Sequence, residues 1–311
     1  MQPDRAGMRL DQFLHHRFPE FTRSRLQAWI KSGLVLVNGR AEKASSILHG
    51  GETVDFTPGD PPALHAEAED IPLNILYEDD AVVAVNKPAG MVVHAGAGAH
   101  SGTLVNALLH RFRQLSTMAG ELRPGIVHRL DRYTSGVLLV ARNDAAHQQL
   151  ARQFSSREVE KTYIALVEGH LKKPTGRIAA RIARDPVRRT RMTARLPTGR
   201  AALTDYELIQ RFGNFTLLKV RIATGRTHQI RAHMASIGHP VAGDKLYGAK
   251  AADFGRYFLH AWRIAFTSPA SRERITITAP LPPELLSWLV TLPDGDTIPA
   301  WLSPGNGSTN L

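Results

Sequence analysis

GVLLVARNDAAHQQLARQFSSREVEKTYIALVEG, residues 136–169, sets two apolar runs around a polar one, and that alternation decides the fold class. GVLLVARN and KTYIALVEG are rich in Val, Leu, Ile and Tyr and are bounded by Gly, Asn and Asp, which predicts two strands. Between them Leu150 and Phe154 are four apart, the spacing of one helix face, so 144–154 is expected to be helical. Further out, AVVAVNKP (81–88), ALTDYELIQRF (202–212), FTLLKVRIAT (215–224) and RITITAP (274–280) read as strands, whereas helical spacing recurs only at 103–112 and 228–236. Strands outnumber helices without alternating strictly with them. The expected architecture is α+β, a mixed and largely antiparallel sheet flanked by helices and loops.

The N-terminal segment has a different rhythm. Leu10, Phe13 and Leu14, then Leu26, Trp29 and Ile30, follow i, i+3, i+4 spacing and predict two short helices. Ser24 is a candidate cap of the second, Gly33 a candidate stop, and Asn38-Gly39 a hairpin turn after LVLVNGR, with GETVDF (51–56) as the return segment. Arg9, Arg17, Arg23, Arg25 and Lys31 occupy positions that the apolar stripe leaves free. This predicts a small α/β module over 1–60 with a basic helical face. Residues 61–70, in the Pro- and acid-rich stretch PGDPPALHAEAED, read as a linker, 71–290 as the main domain and 291–311 as a loose tail.

The 311 residues contain no cysteine, which removes disulfides and thiolate metal sites, and 43% hydrophobic residues suffice for a sizeable core. No run approaches the ~18 apolar residues of a membrane span, and MQPDRAGMRLDQF lacks the apolar segment of a signal peptide, so a cytoplasmic protein without membrane contact is expected. No coiled-coil or interface signal stands out, and a monomer is the default. The net charge of +11 points to a polyanion. Much of it sits between Lys172 and Arg200, where eight Arg and two Lys face the single acid Asp185, either as a solvated or disordered basic arm or as a grip on phosphates.

Several motifs fail on inspection. GAGAH (96–100) lacks the third glycine of a dinucleotide loop and the Lys-Ser/Thr of a P-loop. His228 and His233 are five apart, and Gln229 stands where a zinc protease needs glutamate, so no metal is expected. Ser135-Gly136 is not framed as a nucleophile elbow. Asp131, in GIVHRLDRYTSGVLL (125–139), has two readings: an acid that stabilises a turn, or a functional carboxylate. The second needs a cationic partner, and TGRTHQIRAHMASIGHPVAGD (224–244) offers Arg226 and Arg231.

GIVHRLDRYTSGVLLVARN, EKTYIALVEG, RDPVRRTRMTARLPTGRAALTDYELI and TGRTHQIRAHMASIGHPVAGDKLYG, flanked by NKPAGMVVHAG and FLHAWRIAF, together resemble the RluA/RluD family of ribosomal large subunit pseudouridine synthases, in order over about 71–288. RSRLQAWIKSGLVLVNGR (23–40) is similar to the S-four RNA-binding domain that precedes the catalytic domain in the RluD-like branch. The resemblance implies that Asp131 is the catalytic aspartate, that Arg129 enters the RNA stack as the target nucleotide swings out, that Tyr163 packs on the target base, that Arg231 pairs with the aspartate and that Ile230 walls the pocket. His128, beside Arg129 in the same motif, and Arg226 join the expected RNA contacts, with Arg188, Arg189, Arg23 and Arg25 on phosphates. Many members carry Lys-Asp after the aspartate where this chain has Arg132-Tyr133, which bears on local RNA contacts.

The implied reaction isomerises uridine to pseudouridine. It is neither oxidative nor a group loss, so no cofactor is expected. It needs one ionised carboxylate acting on the ribose, as nucleophile or as base. Large-subunit ribosomal RNA is the implied substrate, transfer RNA a second candidate. A catalytically silent RNA-binding factor is the alternative from another functional class.

Overall fold

The computed structural model describes residues 7–21, 23–57, 66–94, 101–120, 122–251, 254–293, 295 and 298–302. Two compact units emerge, Met1–His65 and Ala66–Leu311. The GAGAH stretch and the first half of the expected linker, 61–65, fall outside the described residues.

In the first unit β1 (Met8–Arg9) leads into α1 (Leu10–Arg17) and α2 (Arg23–Lys31), followed by β2 (Val35–Val37), β3 (Arg40–Ala41), β4 (Ile47–Leu48) and β5 (Val54–Phe56). The two apolar stripes meet as expected: Leu10, Phe13, Leu14, Leu26, Trp29 and Ile30 share one core with Val35, Val37, Leu48 and Val54. Each such fully buried side chain contributes about 1.5–3 kcal/mol. Asn38 and Gly39 both have positive φ, as the β2–β3 turn requires, and the Asn38 side chain accepts the Thr53 N–H to hold β5 on the other edge of β2. Gly33, at φ +77°, follows α2. The helical backbone of α2 already includes Arg23, one residue before the expected cap at position 24.

The second unit runs β6 (Ile75–Glu78), β7 (Val82–Lys87), α3 (Leu104–Arg111), β8 (Ser135–Ala141), α4 (Asp144–Ser156), β9 (Glu160–Glu168), β10 (Thr175–Arg184), β11 (Met192–Thr193), β12 (Arg200–Phe212), β13 (Phe215–Ile222), α5 (Gln229–Ser236), β14 (Leu259–Thr267), β15 (Arg274–Thr278) and α6 (Pro283–Val290). The sheet order is β11-β10-β12-β13-β9-β14-β8-β7-β6, with β15 also on β14. Among the described strands only β14–β8 is parallel, in agreement with the expected mixed sheet. Central strands are apolar on both faces because helices cover both. Along β9, Tyr163, Ala165 and Val167 join a cluster with Ile230 and Met234 of α5, while Ile164 and Leu166 join Leu285 and Trp288 of α6. Gly136 is needed where β8 meets β14, since a Cβ there would strike the Ala261 backbone.

Four features differ from the expectation. The basic segment is in large part a hairpin: Ile178 and Ile182 turn inward along β10, each directly after an exposed arginine, Arg177 and Arg181. Asp185, the lone acid, accepts the N–H groups of Val187 and Arg188 and pairs with Arg191 at 2.7 Å, bonds that hold its carboxyl down to about 2. α6 was not expected, although Leu285, Trp288 and Leu289 have helical spacing behind a proline at the first turn. The stretch from 291, read as a tail, is anchored where it is described, with Leu302 buried and Leu292 and Ile298 packed in the α6 core. Residues 66–70, read as linker, also belong to the second unit. The Glu67 carbonyl accepts from Asn106 and the Glu69 carboxylate from the Gly102 N–H.

Candidate active site

A turn at 131–134, closed by the Thr134 N–H on the Asp131 carbonyl, delivers the chain into β8. Lys87, fully buried at the end of β7, braces it. Its ammonium donates to the carbonyls of Pro88, Met91 and Arg132 at 2.7, 3.0 and 3.1 Å. Burial, reinforced by the Arg256 charge and opposed by Asp131, pulls this lysine down to about 7. Gly90 adds a second tie, its N–H donating to the Arg132 carbonyl.

The Asp131 carboxylate faces the first turn of α5. Arg231 Nη1 donates to Asp131 Oδ2 at 3.0 Å, while its Nε and Nη2 grip Asp244 at 2.6 and 3.1 Å. The guanidinium also lies 4.3 Å from the Tyr257 ring centroid and 5.0 Å from that of Tyr247. Burial works against its charge, yet the bonds to Asp244 and the surrounding negative potential outweigh it, so its pKa is raised. The side-chain partner shown for the Asp131 carboxylate is a guanidinium and not a backbone N–H of its own turn. His228 Nε2 lies 3.8 Å from Oδ2, and both residues line the cleft.

Tyr163 on β9, Ile222 on β13, Leu259 on β14 and Ile230 on α5 wall the cleft, with Arg129 and Arg226 at its rim. Tyr163 is 8% exposed, and burial first, then the Asp131 charge, raise its pKa so that it stays a neutral phenol. Gln229 builds the entry to α5. Its side chain accepts from Thr224 and from the Arg226 N–H, and donates to Thr204 and the Leu203 carbonyl. His228 precedes it at φ +55°, a left-handed conformation that costs about 1–3 kcal/mol away from glycine.

The expected residues separate into groups. Asp131, Arg231, Tyr163, Ile230, Arg129 and Arg226 converge on one cleft. His128 does not. Its Nε2 accepts the Leu139 N–H, its ring lies 4.6 Å from that of Phe154, and burial, then Lys161, lowers it to about 3, so it is spent on packing. Arg188 and Arg189 sit exposed in the β10–β11 turn. In the first unit Arg23 pairs with fully buried Asp11 at 2.7 Å and Arg25 lies over Trp29, so both also hold that fold. Asp244, Tyr247 and Tyr257 were missed. Asp244 and Tyr247 lie in AGDKLYG and Tyr257 just before FLHAW, where no local pattern reveals a partner.

Residues 81–236 match the family model described as RNA pseudouridylate synthase, and 8–54 match the S4 domain. The chain is 47% identical over 277 residues to an uncharacterized RNA pseudouridine synthase of Aquifex aeolicus, covering 85% of this chain and 87% of that protein. It is 46% identical to the ribosomal large subunit pseudouridine synthase D of Xanthomonas campestris pv. campestris, covering 90% and 87% respectively. The solved structure of human RNA pseudouridylate synthase domain containing 1 superposes with a TM-score of 0.57 at 28% identity, over 74% of this chain and 89% of that one.

Proposed function

This chain belongs to the RNA pseudouridylate synthase family, isomerases that convert uridine in RNA to pseudouridine, and from that premise we propose that it acts on large-subunit ribosomal RNA with Asp131 as the reacting carboxylate. The substrate reading is supported by the name of the Xanthomonas relative. The residue reading is supported by one observation above all: Arg231 holds Oδ2 of Asp131, and both residues line one cleft with Tyr163 and Ile230.

The reaction breaks the bond from uracil N1 to C1′ and forms one from C5 to C1′. N1 gains a proton and C5 loses one, so atoms and electrons balance within the nucleotide. A stacked uridine is out of reach of the cleft and has to be extruded at a cost of a few kcal/mol. Stacking on the Tyr163 ring returns about 1–3 kcal/mol, and Arg129 at the rim occupies the vacated place in the stack. Tyr163 and Ile230 confine the freed base until it turns over. The S4 unit and the basic β10–β11 turn hold the phosphates around the target.

Among the described residues no helix is long and apolar enough to cross a membrane. The proposal takes the protein as a cytoplasmic monomer, which fits an RNA substrate and the net charge of +11. Incubating the chain with ribosomal RNA fragments and mapping pseudouridine tests it. Product at defined positions with wild type and none with Asp131→Asn is expected. Product from the Asn variant at the wild-type rate would remove Asp131 from the chemistry.

A further inference from the structure

His228 lines the cleft but has no role in the account above. Its two ring nitrogens face different partners: Nδ1 lies 3.0 Å from the Tyr247 hydroxyl and Nε2 lies 3.8 Å from Asp131 Oδ2. The Tyr247 oxygen already accepts the Met192 N–H at 3.0 Å, and among the described residues its own proton has one acceptor in reach, His228 Nδ1. A buried phenol O–H rarely goes unpaired. Tyr247 is 9% exposed, and burial raises its pKa to about 12, so the proton is there to donate. A donor on Nδ1 leaves the imidazole proton on Nε2, on the side of the carboxylate.

We propose that Tyr247 holds His228 as its Nε2–H tautomer, and that His228 is thereby a positioning residue offering that N–H to Asp131 Oδ2 once a nucleotide fills the cleft. At 3.8 Å the contact is longer than a hydrogen bond, and catalytic contacts of this kind tighten when substrate binds. Together with Arg231 on the same oxygen, it directs Oδ1 at the ribose. Burial keeps the imidazole below its ordinary pKa against the pull of Asp131, which suits a neutral donor. The inference rests on the reading of Asp131 as the reacting carboxylate.

Nitrogen NMR of the histidine rings in the full chain, with His228→Gln to assign the signal, reads the tautomer directly. Nε2 protonated and Nδ1 bare is expected, and a shift toward the other tautomer in Tyr247→Phe. Single-turnover rates supply the second arm. Tyr247→Phe should slow conversion about three- to tenfold with RNA affinity unchanged. Glutamine carries its own N–H near the Nε2 position and has no tautomer to lose, so adding Tyr247→Phe to His228→Gln should cost nothing more. A wild-type ring protonated on Nδ1, or a Tyr247→Phe penalty undiminished in the His228→Gln background, overturns the proposal. If Tyr247→Phe does not fold, the wild-type spectrum decides alone. Full activity of Asp131→Asn would instead overturn the underlying reading of the site.

Discussion

Arg231 reaches Asp131 with one nitrogen only, at 3.0 Å, because its other two donors are committed to Asp244. The side chains of Arg231 and Asp244 are 6% and 2% exposed, so this fork is a buried pair whose geometry fixes where the third donor points. Removing one partner of such a pair strands the other charge. Arg231→Met is therefore expected to lower stability by about 3–5 kcal/mol as well as abolish turnover. Arg231→Lys keeps the charge but cannot make the planar fork. Its turnover should fall while its denaturation midpoint moves less than that of Arg231→Met. Equal midpoints for the two variants would contradict the fork as a structural element.

His260 predicts a pH dependence of stability. Its Nε2–H donates to the Ala279 carbonyl at 3.1 Å, and its Nδ1 accepts from Ser135, whose oxygen in turn accepts from Arg256. The ring is fully buried, and burial above all lowers its pKa from 6.5 to about 4. The unfolded chain binds the proton first, so this contribution is intact above pH 6.5 and is lost as the pH falls toward 4, at up to about 1.4 kcal/mol per unit. Urea midpoints at pH 7 and pH 5 should differ more for wild type than for His260→Gln.

The Asp131 charge should be visible in its tyrosine neighbours. Burial is the larger cause of the raised pKa of both Tyr163 and Tyr257, and the Asp131 carboxylate is the second. Neutralising it in Asp131→Asn is expected to lower both values. Carbon NMR of the labelled rings during an alkaline titration reads this, and unmoved titrations would place the carboxylate farther from the rings.

The turn after β10 is predicted to act on binding alone. Arg188 and Arg189 are exposed at the tip that Asp185 builds, well suited to phosphates and absent from the cleft. Replacing both with Ala should raise the RNA dissociation constant far more than it lowers the single-turnover rate. If each neutralises one phosphate of single-stranded RNA, the slope of log affinity against log salt should flatten by about 1.4. An unchanged slope would assign the grip elsewhere.

Strands were legible where period and composition agreed: β8, β9 and β13 are apolar enough to read at sight, and Asn38-Gly39 announces its hairpin. β10 was not, because arginines on its solvent face masked the alternation of Ile178 and Ile182. The pairing of Asp131 with Arg231 was expected from the resemblance, and the structure brings them together across 100 positions. Asp244 escaped notice because its partnership depends on a loop folding back under α5, which no local spacing records. His128 misled for the opposite reason: Arg129 and Asp131 beside it line the cleft, but its own ring turns to the Leu139 backbone.

The most direct test of the central claim is pseudouridine mapping, by carbodiimide labelling and primer extension, of total RNA from cells lacking the gene and complemented with wild type or Asp131→Asn. The account predicts that defined positions in large-subunit ribosomal RNA lose the mark on deletion and regain it only with wild type. Restoration by Asp131→Asn would contradict it, and marks unchanged by deletion in cells without a second enzyme for those sites would favour a silent RNA-binding factor.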